Sequence, residues 1–291
     1  PDQHGAVRLY DHTSPRLLAT GGVYAYLKVA EGCDNPCSFC QIPRMRGRFR
    51  SRTVESLVAE ARRLEAAGIT ELVLLAQDTT RYGEDLGLGK DGLGRLLEAL
   101  LAGTSLPWIR FMYAYPATLD VAIFPLMRSE RRLVPYLDLP LQHASRPVLK
   151  AMRRGGDARS YRELIDAARG EVPGLAVRST FIVGFPDEGE EEFAELERFL
   201  DEVRFDHVGV FSYSFQVENP GADLGDPIPP RVKERRRKAL MRQQERISRE
   251  HLRRLRGETL VALVEGASAE SELLLEGRLA RQAPEVDGRL L

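Results

Sequence analysis

The sequence predicts an α/β fold: an open, partial TIM-type barrel of about six βα units, a (βα)6 core. Three observations predict it. Between residues 23 and 215, strand-length apolar runs alternate with helically spaced segments about six times, a pattern that implies parallel strands joined by right-handed crossovers. That span falls short of the roughly 250 residues of a closed eight-unit barrel. The polar clusters of the chain also fall just after strands, at the C-terminal ends where such folds gather their reactive loops. With 291 residues, 43% hydrophobic and 29% charged, the composition is that of an ordinary globular protein able to bury a full core. No apolar run approaches the roughly 20 residues of a membrane span.

Residues 1–22, rich in Pro, Gly, Ser and Thr, read as a linker or short edge hairpin. Residues 24–29 (YAYLKV) carry aromatic and β-branched strand content. Thr53 is a good N-cap for a helix over 54–67, with Leu57, Val58, Ala61 and Leu64 at helical spacing and Gly68 as its stop. Ser56 stands where a capping box wants Glu. Residues 71–76 (ELVLLA) suit a strand buried on both faces, and end in Gln77-Asp78-Thr79-Thr80. A helix over 92–102, a strand over 108–113, a helix over 119–128 and a strand over 134–139 follow. The last of these leads into Pro140-Leu141-Gln142-His143-Ala144-Ser145. Helices over 146–152 and 160–169 precede a strand over 175–183, which ends in Gly184-Phe185-Pro186-Asp187-Glu188. Gly189 caps a helix over 190–203 whose carboxylate-rich first turn suits the positive end of its dipole. A strand over 207–211 and an irregular stretch over 216–229 complete a core domain of residues 23–229. Residues 230–256 read as a long basic helix with Leu240, Ile247, Leu252 and Leu255 available for packing. Residues 258–265 alternate like a strand, and 257–291 read as the start of a small β domain, cut short.

All three cysteines lie within residues 31–40 (EGCDNPCSFC), spaced C-x3-C-x2-C. Gly32, Asn35 and Pro36 supply the turn chemistry that curls such a loop. Three thiolates so close can grip one metal centre. A structural zinc site favours four ligands and C-x2-C pairs, and the loop holds neither a fourth cysteine nor a histidine. Soft thiolates suit iron–sulfur clusters, which normally take four; three leave one iron open to a substrate or cofactor. Zinc, or three merely buried cysteines, are the alternatives.

Net charge is −1, so charge overall does not announce a nucleic-acid partner. Locally, Arg44, Arg46, Arg48, Arg50 and Arg52 alternate, and residues 231–256 hold twelve Lys/Arg against three Glu, while 187–202 is acidic. Such runs are solvated faces, or, for the basic ones, docking sites for an acidic partner such as RNA or a ribosome. The odd cysteine count with metal-like spacing argues against an oxidising compartment, no secretory signal is visible, and the expected location is the cytoplasm.

The cysteine motif, with Phe39 before its last cysteine, resembles the signature of the radical S-adenosylmethionine (SAM) enzymes. Together with YAYLKVAEGC, IPRMRG, AQDTTRYG, PYLDLPLQHAS, RSTFIVGFP and APEVDG, which run from about residue 24 to residue 288, it resembles their methylthiotransferase branch. The likeness is to the family that methylthiolates an aspartate of small-subunit ribosomal protein twelve, the RimO family. A sister branch that modifies adenosine in transfer RNA tends to carry Asn where Asp78 stands and Gly-Ser-type residues at His143-Ala144. The resemblance implies that Cys33, Cys37 and Cys40 hold a 4Fe-4S cluster whose open iron is chelated by SAM. It further implies that a 5′-deoxyadenosyl radical takes hydrogen from the aspartate β-carbon, that a sulfur or methylthio group follows, and that a second SAM supplies the methyl.

Site residues follow from the same resemblance. Phe39 packs near the adenine or simply buries the cluster. Ala76, Gln77 and Asp78 sit where the superfamily receives the SAM amino group, or Asp78 caps the following turn. Gln142 and Arg178 are candidates for the ribose hydroxyls and the carboxylate, or Arg178 is a structural salt bridge. His143 is a substrate contact or a core histidine. Gly184 lets backbone approach the adenine, and Asp187 departs from the glycine usual in the family. No catalytic residue is assigned beyond the cluster ligands. The family also carries an N-terminal domain with a second 4Fe-4S cluster and a complete TRAM domain. The chain starts without methionine and is expected to be the core of a longer enzyme, one that binds a cluster and cleaves SAM without completing methylthiolation. The expected partners are the ribosomal protein or small ribosomal subunit as substrate and a reductase as electron donor, with no membrane. The alternatives are a transfer-RNA methylthiotransferase and a non-catalytic iron–sulfur or zinc module docked on the ribosome.

Overall fold

A computed structural model describes residues 9–20 and 22–291. Six parallel strands form the barrel wall in two runs of three. The first joins β1 (Tyr24–Lys28), β4 (Glu71–Leu75) and β5 (Trp108–Phe111); the second joins β6 (Tyr136–Gln142), β7 (Ala176–Val183) and β8 (His207–Ser212). A parallel bridge between Ile109 and Leu133 and a hydrogen bond from Ala114 N–H to the Asp138 carbonyl (2.9 Å) knit the two runs together. Among the described residues no ladder closes β8 onto β1. The wall is the predicted open six-strand barrel.

Helices α2 (Val54–Ala66), α3 (Gly92–Gly103), α4 (Ile123–Ser129), α5 (Arg146–Ala151), α6 (Ala158–Glu171) and α7 (Glu190–Val203) fill the crossovers. Because side chains alternate along a strand, Ala25, Leu27, Val177 and Phe181 join Leu57, Leu96, Ile165 and Leu200 in the layer under the helices. Short pieces β2 (Ala30–Glu31), α1 (Ile42–Arg46) and β3 (Arg50–Ser51) frame the cysteine loop; β2 pairs antiparallel with β3. Residues 9–20 form a turn and an irregular strap without a strand; the rest of the expected N-terminal linker or hairpin lies outside the described residues.

Several boundaries differ from the sequence expectation, each for a local reason. Strand β6 runs through Pro140 to Gln142 instead of stopping at 139. Proline offers no ladder donor, and the register with β7 shifts between Leu139 and Gln142. The Ser179 hydroxyl donates to the Leu139 carbonyl (2.8 Å) and accepts from Leu141 N–H (3.4 Å), bridging that irregularity. Helix α6 starts at Ala158 rather than 160 because Asp157 caps it, accepting from Ser160 N–H at 2.8 Å. Helix α4 starts at Ile123 rather than 119 because Asp120 opens a turn first, accepting from Ala122 N–H at 3.0 Å.

The basic helix, α8 (Pro230–Arg254), lies against α7, and part of its basic run pairs with the acidic one. Arg236 reaches buried Glu188 (2.9 Å) and Glu190 (3.0 Å), Arg246 pairs with Asp201, and Arg204 pairs with Glu250. Leu240 and Ile247 are fully buried, whereas Leu252, expected to pack, is exposed. The tail is an antiparallel hairpin of β9 (Ala262–Ser268) and β10 (Ser271–Leu279), later than the 258–265 strand expected. Its return segment enters the barrel lumen: Ala283, with Leu263 and Ala280, packs on Val73, Trp108, Met112 and Tyr136. There Arg278 meets Glu71 (2.6 Å), which also accepts from Arg110 (2.8 Å).

Candidate active site

The cysteine loop sits at the C-terminal mouth of the barrel and is tied down on three sides. Asn35 donates to Asp78 at the end of β4 (2.7 Å), Ser38 donates to the Ala151 carbonyl at the end of α5 (2.8 Å), and Asn219 donates to the Phe39 carbonyl (3.0 Å). Gly32 adopts φ +83°, and a Cβ there would stand 2.1 Å from the Arg48 carbonyl oxygen, so only glycine fits the entry to the loop.

The three thiols are free and line one end of a cavity of about 400 Å³. Burial pushes the Cys33 and Cys40 thiols up, against the opposing N–H bonds from Asn35 and Ile42. Among the described residues no three His, Cys, Asp or Glu groups converge as they would on a single ion. The three thiols share a cavity of a size that takes a small-molecule ligand, and soft thiolates are the donors that iron–sulfur groups take.

The cavity brings together Phe39, Gln77, Gln142 and Arg178 with the three cysteines. Phe39 also packs against the buried cluster of Val148, Met152, Phe185 and Tyr213. Gln77 has a buried side-chain oxygen with no partner, the kind of orphan that a ligand satisfies. Gln142 (φ +74°) and Tyr113 (φ +60°) hold left-handed backbone at the mouth, as strained residues at functional sites do. Arg178 extends from β7 into the lumen, where it donates to Asp138 (3.1 Å) and faces Asp287 (3.5 Å). Burial works against its charge, but those carboxylates and Tyr136 keep its proton affinity raised. It is therefore both salt-bridged and cavity-lining.

Four other expected residues lie off this cavity. Ala76 lines a neighbouring cavity of about 640 Å³ that shares Gln77 and Tyr113 with the first. Asp78 is buried and braces the loop, accepting from Asn35 and from Thr80 (2.5 Å); burial pushes its carboxyl up. Gly184 (φ +74°) is not in the cavity wall; a Cβ there would meet the Lys233 side chain of α8 at 2.3 Å, and its N–H donates to Glu188. His143 is a fully buried core residue: Nδ1 accepts from Ser145 N–H (3.0 Å), and Nε2 faces Glu188 at 3.6 Å. Asp187 takes φ +71°, a left-handed turn conformation that favours glycine and that aspartate also tolerates.

The wall also contains Asn35 of the cysteine loop, Val286 of the tail, and Tyr115, Arg154 and Phe211, the last three of which belong to no motif. Asp287, next to Val286, accepts from Tyr136 (2.6 Å) and Ala283 N–H (2.8 Å) and faces His207 (3.4 Å) and Arg178, so the tail is part of the site. The only sequence signal for these two was the APEVDG stretch.

The sequence profile of the radical SAM superfamily matches residues 27–200. The curated protein named ribosomal protein uS12 methylthiotransferase RimO of Koribacter versatilis (strain Ellin345) is 48% identical over 282 residues, covering 97% of this chain and 56% of the relative. The proteins of that name from Geotalea uraniireducens (48%) and Pelobacter propionicus (46%) cover 97% of this chain and 63% and 62% of their own lengths. The chain thus spans somewhat over half the length of the curated relatives it matches. The resemblance to the methylthiotransferase branch is matched by these relatives. Among solved structures, the radical S-adenosylmethionine methyltransferase TsrM of Kitasatospora setae superposes with a TM-score of 0.58 at 17% identity, over 76% of this chain and 43% of that one. The Escherichia coli coproporphyrinogen III oxidase HemN gives 0.58 at 15% identity, over 77% and 53%. The shared fold, the match over most of the barrel and the three thiols at its mouth agree: this chain belongs to the radical SAM superfamily.

Proposed function

We propose that this chain is the radical-generating core of an enzyme that methylthiolates the β-carbon of an aspartate in ribosomal protein uS12. The observation that carries it is the convergence of Cys33, Cys37 and Cys40 with Gln77, Gln142 and Arg178 on one cavity. Its support in sequence is the 48% identity to a protein named as a uS12 methylthiotransferase. The three thiolates hold a 4Fe-4S cluster and leave one iron for SAM. When bound, that pair supplies one-electron cleavage of the SAM sulfonium and a carbon radical able to abstract hydrogen.

The chain's own groups bind and orient. The free Gln77 side-chain oxygen accepts from the SAM amino group. Arg178, anchored by Asp138 and Asp287, presents its remaining N–H groups to a carboxylate or ribose hydroxyl. Gln142 adds a second amide to that wall, and Phe39 covers the cluster side. Tyr113, Phe211 and Val286 narrow the mouth and keep water from the reacting carbon once the substrate segment is seated. A reductase supplies the electron, and the ribosomal substrate places the work in the cytoplasm. Among the described residues no helix is long and apolar enough to cross a membrane.

The test is mass spectrometry of ribosomal protein uS12 and of digested transfer RNA, from cells lacking the full gene and from cells rescued by it. Loss and return of the methylthio group on the uS12 aspartate is expected. Loss confined to transfer-RNA adenosine would replace this reading with the RNA-modifying one.

A further inference from the structure

Arg154 belongs to none of the stretches that carry the family resemblance, yet it stands in the wall beside the cysteines. The chain reaches it through Arg153, whose φ of +54° turns the backbone out of α5. Three contacts then fix the guanidinium. Nη2 donates to the Pro140 carbonyl at 2.6 Å, Cζ lies 4.1 Å from the centroid of the Tyr115 ring, and Nη1 faces Cys37 Sγ at 3.7 Å. Pro140, Tyr115 and Cys37 all line the same cavity. Among the described residues no carboxylate forms an ion pair with Arg154. A part-buried guanidinium without a counter-charge is costly unless negative charge is supplied from elsewhere, and here the facing group is a thiol that becomes a thiolate on metal binding.

We propose that Arg154 is a positioning residue that donates a charge-assisted hydrogen bond to the Cys37 thiolate of the bound cluster and thereby raises the cluster's reduction potential. The inference rests on the three cysteines being cluster ligands. Hydrogen bonds to the sulfurs and nearby positive charge favour the reduced, more negative form of a cluster. The planar fork is needed because one guanidinium must serve the Pro140 carbonyl and the thiolate together while stacking on Tyr115. A lysine keeps the charge but offers neither the fork nor the stacking.

The test is an anaerobic potentiometric titration of the reconstituted chain without SAM, followed by electron paramagnetic resonance, for wild type, Arg154→Gln, Arg154→Lys and a control at exposed Arg146, Arg146→Gln. Iron content and circular dichroism are checked for each. Arg154→Gln is expected to lower the reduced-to-oxidised ratio at fixed potential by tenfold, a midpoint shift of about 59 mV to the negative side for a one-electron couple. Arg154→Lys shifts less in the same direction, and Arg146→Gln does not shift. Where Arg154→Gln holds no iron, the potential of Arg154→Lys decides. A loaded Arg154→Gln chain with the wild-type potential overturns the inference; if that chain also binds SAM more weakly, the guanidinium serves SAM instead. A folded wild-type chain that takes up no cluster would overturn the reading of the cysteines themselves, an outcome distinct from an unchanged potential in a loaded chain.

Discussion

One amide fastens the cysteine loop to the second strand of the barrel. Asn35 and Asp78 are 43 residues apart in sequence and 2.7 Å apart in space, and Asp78 is otherwise buried with Thr80. Asn35→Ala removes the donor and leaves a buried carboxylate under-satisfied, which costs about 1–3 kcal/mol. Urea unfolding should show that loss, and iron uptake at limiting sulfide should fall with it; an unchanged midpoint would mean the loop is held by Ser38 and Asn219 alone. The types of the site residues were legible in the sequence, because three clustered cysteines and the polar ends of strands point to chemistry on their own. Their partners were not. Asn35 reads as a turn residue, Asp78 as a SAM-facing residue or a turn cap, and Arg154 as one basic residue among many, since a contact across many residues of chain leaves no mark in local spacing. Gly184 reads as a ligand-facing glycine, yet it is the Lys233 side chain of α8 that needs the room.

At the scale of elements, the pairing of α7 with α8 converts two conspicuous charge runs into one interface. Arg236 is nearly fully buried, and its Nη1 donates both to the Glu188 carboxylate (2.9 Å) and to the Glu188 carbonyl (2.8 Å). Arg236→Ala strands Glu188 without its counter-charge and should cost about 3–5 kcal/mol. The same change at Arg253, on the exposed end of α8, should stay within about 0.5 kcal/mol. Equal losses in the two variants would show that the helix is held by Leu240 and Ile247 alone. Periodicity placed the helices α2 to α8 and every barrel strand, since long amphipathic runs carry that signal, but not the short α1, which is too short to show a period. It missed where β6, α4 and α6 begin or end, because a serine hydroxyl bridging a proline, an aspartate-held turn and an aspartate cap settle those ends through side-chain hydrogen bonds. It also left the basic run as a solvated face or a docking site for an acidic partner, since opposite runs say nothing of each other until the chain folds.

At the scale of the molecule, the tail and α8 are fastened to the barrel through buried carboxylates. Asp206, before β8, accepts from Val177 N–H (2.9 Å), pairs with Arg281 of the tail and faces His251 of α8 at 3.3 Å. Burial alone would push its carboxyl up, but His251, the Val177 N–H and Arg281 outweigh this and hold it below the usual aspartate range. A depressed folded value gives stability that is present above the unfolded pKa and is lost as pH falls below about 4. Asp206→Asn should therefore unfold more easily than wild type at pH 7, and the gap should close as both are acidified; a gap that persists at low pH would assign the effect to packing. The barrel was legible from the alternation of elements, whereas the tail entering the lumen was not, because its docking rests on Arg278, Val286 and Asp287 meeting residues far upstream. The central claim is that this barrel holds a cluster at Cys33, Cys37 and Cys40 and uses it on SAM. The most direct measurement is anaerobic reconstitution with iron and sulfide, followed by reductant and SAM, with iron and 5′-deoxyadenosine quantified for wild type and for the chain with all three cysteines changed to alanine. The account predicts about four irons per chain and released deoxyadenosine for wild type, and neither for the variant; a folded wild-type chain that binds zinc and forms no cluster would contradict it.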